Sequence, residues 1–188
     1  MVAQRQTESL RADAQHNRDR ILEVALAALT ESNSASLNSI AKKAGVGIGT
    51  LYRHFPTREA LVLEVYRHEV QQLVAAAPAL LASRPPVEAL RTWMDRLALY
   101  GMTKAGLAEA LSTASTHDGL ASETYDPVIS ALSMLLRACE EAGTVRAGLD
   151  PDDVLLMLAF LWRLDPHGDW QPRASRLLDL LMNGLLTR

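Results

Sequence analysis

The side chains best suited to specific chemistry lie close together between Ser36 and Arg58, where basic and hydroxyl groups are concentrated. Such groups donate hydrogen bonds to phosphate oxygens and to base edges, so they favour nucleic-acid recognition over bond making. The chain has no His-x-x-x-His pair and no nucleophile with an identifiable base. The local structure of this stretch must therefore bring its polar side chains to one face.

Two short helices separated by a tight turn are predicted here. Ser36 is a suitable N-cap for the first helix, because its hydroxyl can accept a backbone N–H at a helix start. Gly45 is predicted to end that helix in the left-handed conformation, which only glycine adopts at low cost. The second helix is predicted from about Gly47 to His54, and Pro56 ends it before Thr57 caps the next. This pattern indicates a helix-turn-helix DNA reader.

The composition predicts an all-α globular fold. Hydrophobic residues make up 48% of the 188 residues and charged residues 22%, which excludes a disordered chain. Alanine and leucine, both good helix formers, dominate, and no alternating β-branched run indicates a strand. We predict about nine helices: an N-terminal three-helix head that contains the helix-turn-helix, and a C-terminal helical domain.

Charge is divided unevenly along the chain. The net charge is −3, but residues 1–60 hold 8 Lys and Arg against 6 Asp and Glu, while the remainder holds 11 against 16. A weakly basic head on an acidic body suits a protein that docks on phosphates at one end only. The single cysteine, Cys139, excludes an internal disulfide, and its leucine neighbours at helical spacing predict a buried structural thiol.

Neither a signal peptide nor a membrane span is expected. The start of the chain is polar and charged as far as Arg20. The longest apolar run, Val154–Trp162, has nine residues, less than half of the roughly 20 that a spanning helix needs. These features predict a cytoplasmic protein.

Three regions are predicted along the chain. Residues 1–16 are expected to form a mobile N-terminal arm, since they are polar and mixed in charge. Residues 17–62 are expected to be the DNA-binding domain, with a first helix that starts at Asn17 or Asp19. Residues 63–188 are expected to be the effector-binding and dimerisation domain. A long helix from Thr57 to about Ala77, ended by Pro78, would belong to both.

The body is predicted to be a succession of helices. Expected loops are Thr116–Gly119 and Asp165–Asp169, which contain turn-forming residues. The expected helices are Val87–Met102, a short one around Leu107–Ser112, one from Asp126-Pro127 to Gly143, one from Asp150-Pro151 and one from Pro172 to near Thr187.

The last two predicted helices are apolar on more than one face. Because a helix that is apolar all round must be buried all round, we expect a partner chain to cover them in a four-helix interface about a two-fold axis. The candidate interface residues are Leu158, Trp162, Leu178, Leu181 and Leu185. Candidate lining residues of a largely apolar ligand pocket are Trp93, Leu97, Tyr100, Met134 and Trp162.

The head resembles the tetracycline-repressor (TetR) family of transcriptional regulators. The resemblance rests on Ile40-Ala41-Lys42-Lys43-Ala44-Gly45-Val46, Gly49-Thr50-Leu51-Tyr52-Arg53-His54-Phe55 and Thr57-Arg58-Glu59-Ala60-Leu61. It is close over residues 17–63, and the remainder is similar only in helix count and amphipathic pattern. One departure is Gly47, where the family often has a serine that opens the recognition helix.

The resemblance implies DNA contacts from two elements. Asn38, Ile48, Gly49 and Thr50 would lie near bases, and Tyr52, His54 and Arg58 would contact phosphates, with Arg53 touching either. The full candidate set is Ser36, Asn38, Gly47, Ile48, Gly49, Thr50, Tyr52, Arg53, His54 and Arg58.

The resemblance also implies a function: a DNA-binding regulator, most often a repressor, that binds a palindromic operator as a dimer and is released by a small apolar or amphipathic effector. An alternative is a helix-turn-helix regulator whose body only dimerises or docks a protein, with no effector. A helical enzyme or metal protein would have to use the His117-Asp118 and Asp165–Asp169 segments, where polar loop residues are expected anyway. We therefore expect no catalytic residue, no metal and no cofactor.

Overall fold

The computed structural model describes residues 2–31, 35–107, 111, 117–165 and 168–187. Within these ranges the chain is helical, which confirms the predicted all-α fold. The helices are α1 (Val2–Glu31), α2 (Leu37–Lys43), α3 (Ile48–His54), α4 (Arg58–Ser83), α5 (Pro86–Gly106), α6 (His117–Glu141), α7 (Pro151–Met157), the 3₁₀ helix (Leu158–Arg163) and α8 (Trp170–Leu185).

The first helix begins much earlier than the sequence suggested. It starts at Val2 and not at Asn17 or Asp19. Residues 2–16 contain no glycine or proline and include several alanine, glutamine and arginine residues. These residue types favour helix even without an amphipathic stripe, so the segment predicted as an arm is a helical extension of α1.

Two prolines lie inside helices where a break or a start was expected. Pro78 was predicted to end α4, yet the helix continues to Ser83. Asp126-Pro127 was predicted to open a helix after a loop at His117–Gly119, yet α6 already begins at His117. An interior proline removes one backbone hydrogen bond and kinks the helix, but flanking good helix formers can continue it.

The apolar run Val154–Trp162 is divided between two kinds of helix. Asp150 caps α7 as predicted, since its carboxylate accepts the Asp152 backbone N–H at 2.9 Å. The single helix expected after it changes to a 3₁₀ helix at Leu158. The last helix begins at Trp170, two residues before the predicted Pro172, and ends at Leu185. The tighter 3₁₀ turn changes which side chains face inward.

Two compact units make up the chain. One comprises Met1–His68 and Leu107–Ser115, and the other comprises Glu69–Gly106 and Thr116–Arg188. Buried side chains of the first unit include Ile21, Leu22, Leu29, Ile40, Leu51, Phe55, Leu61 and Val65. Those of the second include Trp93, Met94, Leu97, Leu132, Leu135, Leu158 and Leu178.

In the second unit, α5 packs against α6, the 3₁₀ helix and α8. Cys139 is fully buried there as a free thiol, as predicted, and burial raises the pKa of that thiol. An isolated antiparallel bridge joins Val145 to Leu186, and the Thr187 N–H donates to the Thr144 carbonyl at 3.1 Å. The end of α8 is thereby tied to the turn that follows α6.

Several predictions fall outside the described residues. Most of the short helix expected at Leu107–Ser112 is among them, although the Leu111 N–H donates to the Leu107 carbonyl at 2.8 Å. Thr116, Pro166 and His167 also lie outside. Among the helices that are described, none combines the length and the apolar character needed to cross a membrane.

Candidate DNA-binding interface

The turn between α2 and α3 depends on Gly45. Its φ of 66° is left-handed, as predicted. The Gly45 N–H donates to the Lys42 carbonyl at 3.2 Å, and the Val46 N–H donates to the Ala41 carbonyl at 3.0 Å. This pair of bonds is the Schellman arrangement, which satisfies carbonyls at a helix end. It fixes the direction in which α3 leaves α2.

Both ends of the motif are capped by hydroxyl groups. The Ser36 hydroxyl accepts the Ser39 N–H at 3.1 Å, which confirms its predicted capping role. The Thr57 hydroxyl accepts the Ala60 N–H at 3.1 Å at the start of α4. The pKa of Glu59 is lowered, first because its own backbone N–H donates to the carboxylate and then because the Thr57 hydroxyl also donates. These caps fix the residues at which α2 and α4 begin.

The start of α3 has no side-chain cap. Gly47 is the N-cap residue, with extended backbone and no side-chain hydrogen bond. A Cβ at this position would meet only the Thr50 hydroxyl oxygen, at 3.9 Å, so the site has room for a serine. The Gly47 carbonyl accepts the Thr50 N–H at 2.9 Å and the Leu51 N–H at 3.1 Å, but residue 47 has no side chain that could accept the first N–H groups of α3. Such groups at a helix start are suited to phosphate oxygens.

One face of α3 points outward and the other inward. Leu51 and the following Phe55 are buried in the head, with 0% and 1% of their surface exposed. Ile48 and Tyr52 are 38% and 48% exposed, so a large apolar side chain and an aromatic side chain of α3 both reach the surface. The remaining outward positions are Gly49, Arg53 and His54, with Thr50 half-buried.

The other candidate DNA-contacting residues flank this face in sequence. Ser36 and Asn38 are exposed at the start of α2, and Arg58 is half-buried at the start of α4. Lys42 and Lys43 lie in the last turn of α2. Basic side chains and uncapped N–H groups thus accompany an exposed α3, which is the arrangement a helix needs to enter a major groove.

The predicted pocket residues lie in different surroundings. Trp93 is fully buried, and its indole N–H donates to the Leu73 carbonyl at 2.9 Å. Leu97 and Tyr100 are also buried in the core. Trp162 is 43% exposed and meets the Tyr100 ring edge-on at 6.3 Å. Met134 lies instead on a surface groove of about 610 Å³ between the ends of α4, α6 and the start of α7.

The predicted dimer-interface residues differ in how exposed they are. The chain itself covers Leu158, Leu178, Leu181 and Leu185, which are all at most 6% exposed. These side chains therefore offer little surface to a second copy, and only Trp162 of the predicted set is accessible. The same elements expose other apolar side chains, namely Leu156, Met157 and Leu180. Apolar periodicity could not separate the two groups, because both lie on apolar helices.

Sequence reasoning missed two positions that shape these units. Arg18 of α1 lies over the ring of Phe55 and pairs with Glu64. Gly101 of α5 lies directly beneath the ring of Trp162. Both contacts join residues far apart in the chain, so no local pattern could have indicated them.

A two-helix motif with a glycine turn, a buried inner face and an exposed basic outer face defines a helix-turn-helix DNA-binding protein. Comparisons with known proteins narrow this class. Residues 21–65 match the model of the bacterial regulatory proteins of the tetR family. Residues 85–187 match the C-terminal domain of SbtR-like transcriptional regulators.

Solved structures agree with these matches. The TetR transcriptional regulator SCO0520 from Streptomyces coelicolor is 41% identical, with a TM-score of 0.83 over 90% of this chain and 98% of that one. A TetR transcription regulatory protein from Mycobacterium vanbaalenii is 34% identical, with a TM-score of 0.78 over 95% and 99%. The chain belongs to the TetR family of bacterial transcriptional regulators.

A curated relative matches over about a third of this chain. An HTH-type transcriptional regulator of Staphylococcus aureus (strain USA300) is 41% identical over 63 residues, which are 32% of this chain and 34% of that protein. The match therefore spans about a third of the relative's length. These matches identify a DNA-binding transcriptional regulator and not an enzyme. Where side chains are described, no cluster of three or more His, Cys, Asp or Glu could hold a metal ion.

Proposed function

We propose that this regulator is a repressor that binds a palindromic operator as a homodimer and is released by a small apolar or amphipathic effector. The observation that carries the DNA-binding part is the outward face of α3, where Ile48 and Tyr52 are exposed beside Arg53 and His54. Two copies of α3 would enter successive major grooves, about 34–36 Å apart. Operator binding places the protein in the cytoplasm, where bacterial DNA lies.

The proposed contacts follow from side-chain chemistry. Ile48 would meet a thymine methyl group, and Thr50 and Asn38 would hydrogen-bond to base edges. Tyr52, His54 and Arg58 would hold phosphates, as would the N–H groups at Gly47 and Gly49, and Arg53 would touch a base or the backbone. Residues 17–62 would then act as the DNA-binding domain and residues 63–188 as the effector-binding and dimerisation domain.

An effector would need a largely apolar space in the body. The groove at Met134 offers about 610 Å³ of space, with Leu81, Ile129 and Pro151 as apolar walls. The second candidate is a body that only dimerises or docks a protein, in which the buried Trp93 and Leu97 would serve as core alone. A thermal-shift screen separates the two, because a ligand that binds only the native state raises the unfolding midpoint.

Operator binding is tested by selecting duplexes from a random pool with the wild-type protein. The variant Arg53→Ala should bind the recovered duplex at least about tenfold more weakly, since a contact to base or phosphate is lost. Arg176→Ala removes the same charge from an exposed position on α8 and should stay within about twofold, because long-range charge effects are screened. Equal losses in both variants, or recovery of no duplex by the wild type, would exclude α3 as the DNA-reading element.

A further inference from the structure

Arg18 lies where three helices of the head meet. Its guanidinium carbon is 5.7 Å from the centroid of the Phe55 ring. Its Nη2 pairs with Oε2 of Glu64 on α4, and both side chains are about 30% exposed. Glu64 accepts a second hydrogen bond through Oε1, from Nη1 of Arg67 at 3.0 Å. The guanidinium of Arg18 is thus held between a carboxylate and an aromatic ring.

Phe55 is the C-cap residue directly after α3. Its backbone N–H donates to the Leu51 carbonyl at 2.8 Å and closes the last turn of the helix. Its ring is buried, and the ring of His54 lies 6.0 Å away at an angle of 42°. A shift of the Phe55 ring would therefore move the end of α3 that carries His54.

The chemistry of the contact explains why an arginine suits this position. A guanidinium is planar and weakly hydrated, so it can lie over an aromatic ring while its edge pairs with a carboxylate. The pairing also occupies Arg18 with groups of the protein. Its neighbour Arg20 is exposed and donates to the Asn17 side-chain oxygen at 3.2 Å.

We propose that Arg18 is a positioning residue for DNA recognition. Held by Glu64, it fixes Phe55 and so sets the orientation of α3 in the groove, without contacting DNA itself. This inference rests on the proposed role of α3 as the DNA-reading helix. It predicts a loss of specificity from changes at two residues that never touch DNA, one of them an acid.

The test compares the affinity of each variant for two duplexes of equal length: the one recovered from a random pool by the wild type, and a scrambled version of it. Measurements are made well below the melting temperature of every variant, so that only folded protein is compared. The quantity that decides is the ratio of the two affinities, because non-specific binding depends mainly on charge.

Arg18→Met should lower this ratio about tenfold, as expected for loss of a partly desolvated cation–aromatic contact. Arg20→Met is the matched control with the same change in charge, and its ratio should equal that of the wild type. If Arg18 contacted phosphate directly, both affinities would fall together and the ratio would not change. If Arg18 only stabilised the fold, neither affinity of the folded protein would change. Either result would overturn the proposal.

Glu64→Gln supplies a second test with the opposite electrostatic sign. Removal of an acid near DNA should by charge alone strengthen binding to both duplexes. If Glu64 holds Arg18 over Phe55, the ratio of the two affinities should fall instead. The ratio of the double variant with Arg18→Met should then be no lower than that of the worse single variant. A uniform gain in affinity would exclude the proposed role of Arg18. If the wild type recovers no duplex at all, the proposed function fails first.

Discussion

Gly101 shows how a single missing Cβ can determine packing. A Cβ at this position would lie 2.1 Å from Cζ3 and 2.5 Å from Cε3 of Trp162, closer than atoms can approach. Gly101 lies within α5 and its backbone is not left-handed, so the reason for glycine is the ring above it. Trp162 must move if any side chain is introduced there.

Gly101→Ala is therefore expected to lower the free energy of unfolding by about 1–3 kcal/mol, the usual cost of overpacking, despite the better helix propensity of alanine. Gly184 in α8 is the matched control, because a Cβ there meets nothing within 4 Å. Gly184→Ala should be neutral or stabilising by up to about 1 kcal/mol. Urea denaturation followed by circular dichroism measures both, and stabilisation by Gly101→Ala would contradict the packing described here.

The roles of residues that act on their neighbours in sequence could be predicted, whereas the roles of residues that contact distant parts of the chain could not. Gly45 and Ser36 were assigned from their neighbours in sequence, since left-handed turns and caps involve residues within a few positions. Gly101 and Arg18 depend on Trp162 and Glu64, which are distant in the chain. Only the packed fold brings such pairs together.

Two similar Asp-Pro pairs occupy different positions in their helices. Asp150-Pro151 starts α7, whereas Asp126-Pro127 lies within α6. The residues before each pair explain this difference. Gly148 has a φ of 77°, which prevents a helix from running into Asp150, while residues 120–125 contain neither glycine nor proline and continue the helix. The dipeptide alone therefore predicts a helix start only where the preceding chain cannot be helical.

Pro78 in α4 gives a prediction for an element. Pro78→Ala would restore a backbone N–H that can donate to the Val74 carbonyl, and should raise the stability by up to about 3 kcal/mol. Pro172 lies in the first turn of α8, where no intrahelical partner exists. Pro172→Ala should therefore lose about 0.4–1 kcal/mol through the freer unfolded chain. Thermal unfolding of both variants compares them, and equal midpoints would show that Pro78 costs α4 nothing.

The whole molecule leaves apolar side chains uncovered on its second unit. Leu180 on α8 is 68% exposed, and Leu156 and Met157 on α7 are 73% and 57% exposed. Sequence periodicity selected interface residues of which the chain itself buries four, Leu158, Leu178, Leu181 and Leu185. Helices that are apolar on several faces give no local signal for which face meets the core and which meets a partner. The all-α architecture was predictable from composition, whereas the identity of the surface residues was not.

The proposed homodimer through the last helices is tested by Leu180→Glu. A buried unpaired carboxylate at a subunit interface is strongly unfavourable, so this variant should sediment as a monomer at concentrations where the wild type is a dimer. Leu99→Glu is the matched control, because Leu99 is 57% exposed on α5, outside the proposed interface. A dimeric Leu180→Glu variant, or a monomeric Leu99→Glu variant, would place the interface elsewhere.

The stacking of Trp162 on Gly101 also gives the body an optical property. Of the three tryptophans, Trp93 is fully buried with a bonded indole, while Trp162 keeps 43% of its surface exposed. Indole emission depends on contact with water, so the two rings are expected to fluoresce at different wavelengths. A change in the spacing of α5 and the 3₁₀ helix would alter the emission of Trp162 first. The protein therefore contains its own reporter for events in the body, with no added label.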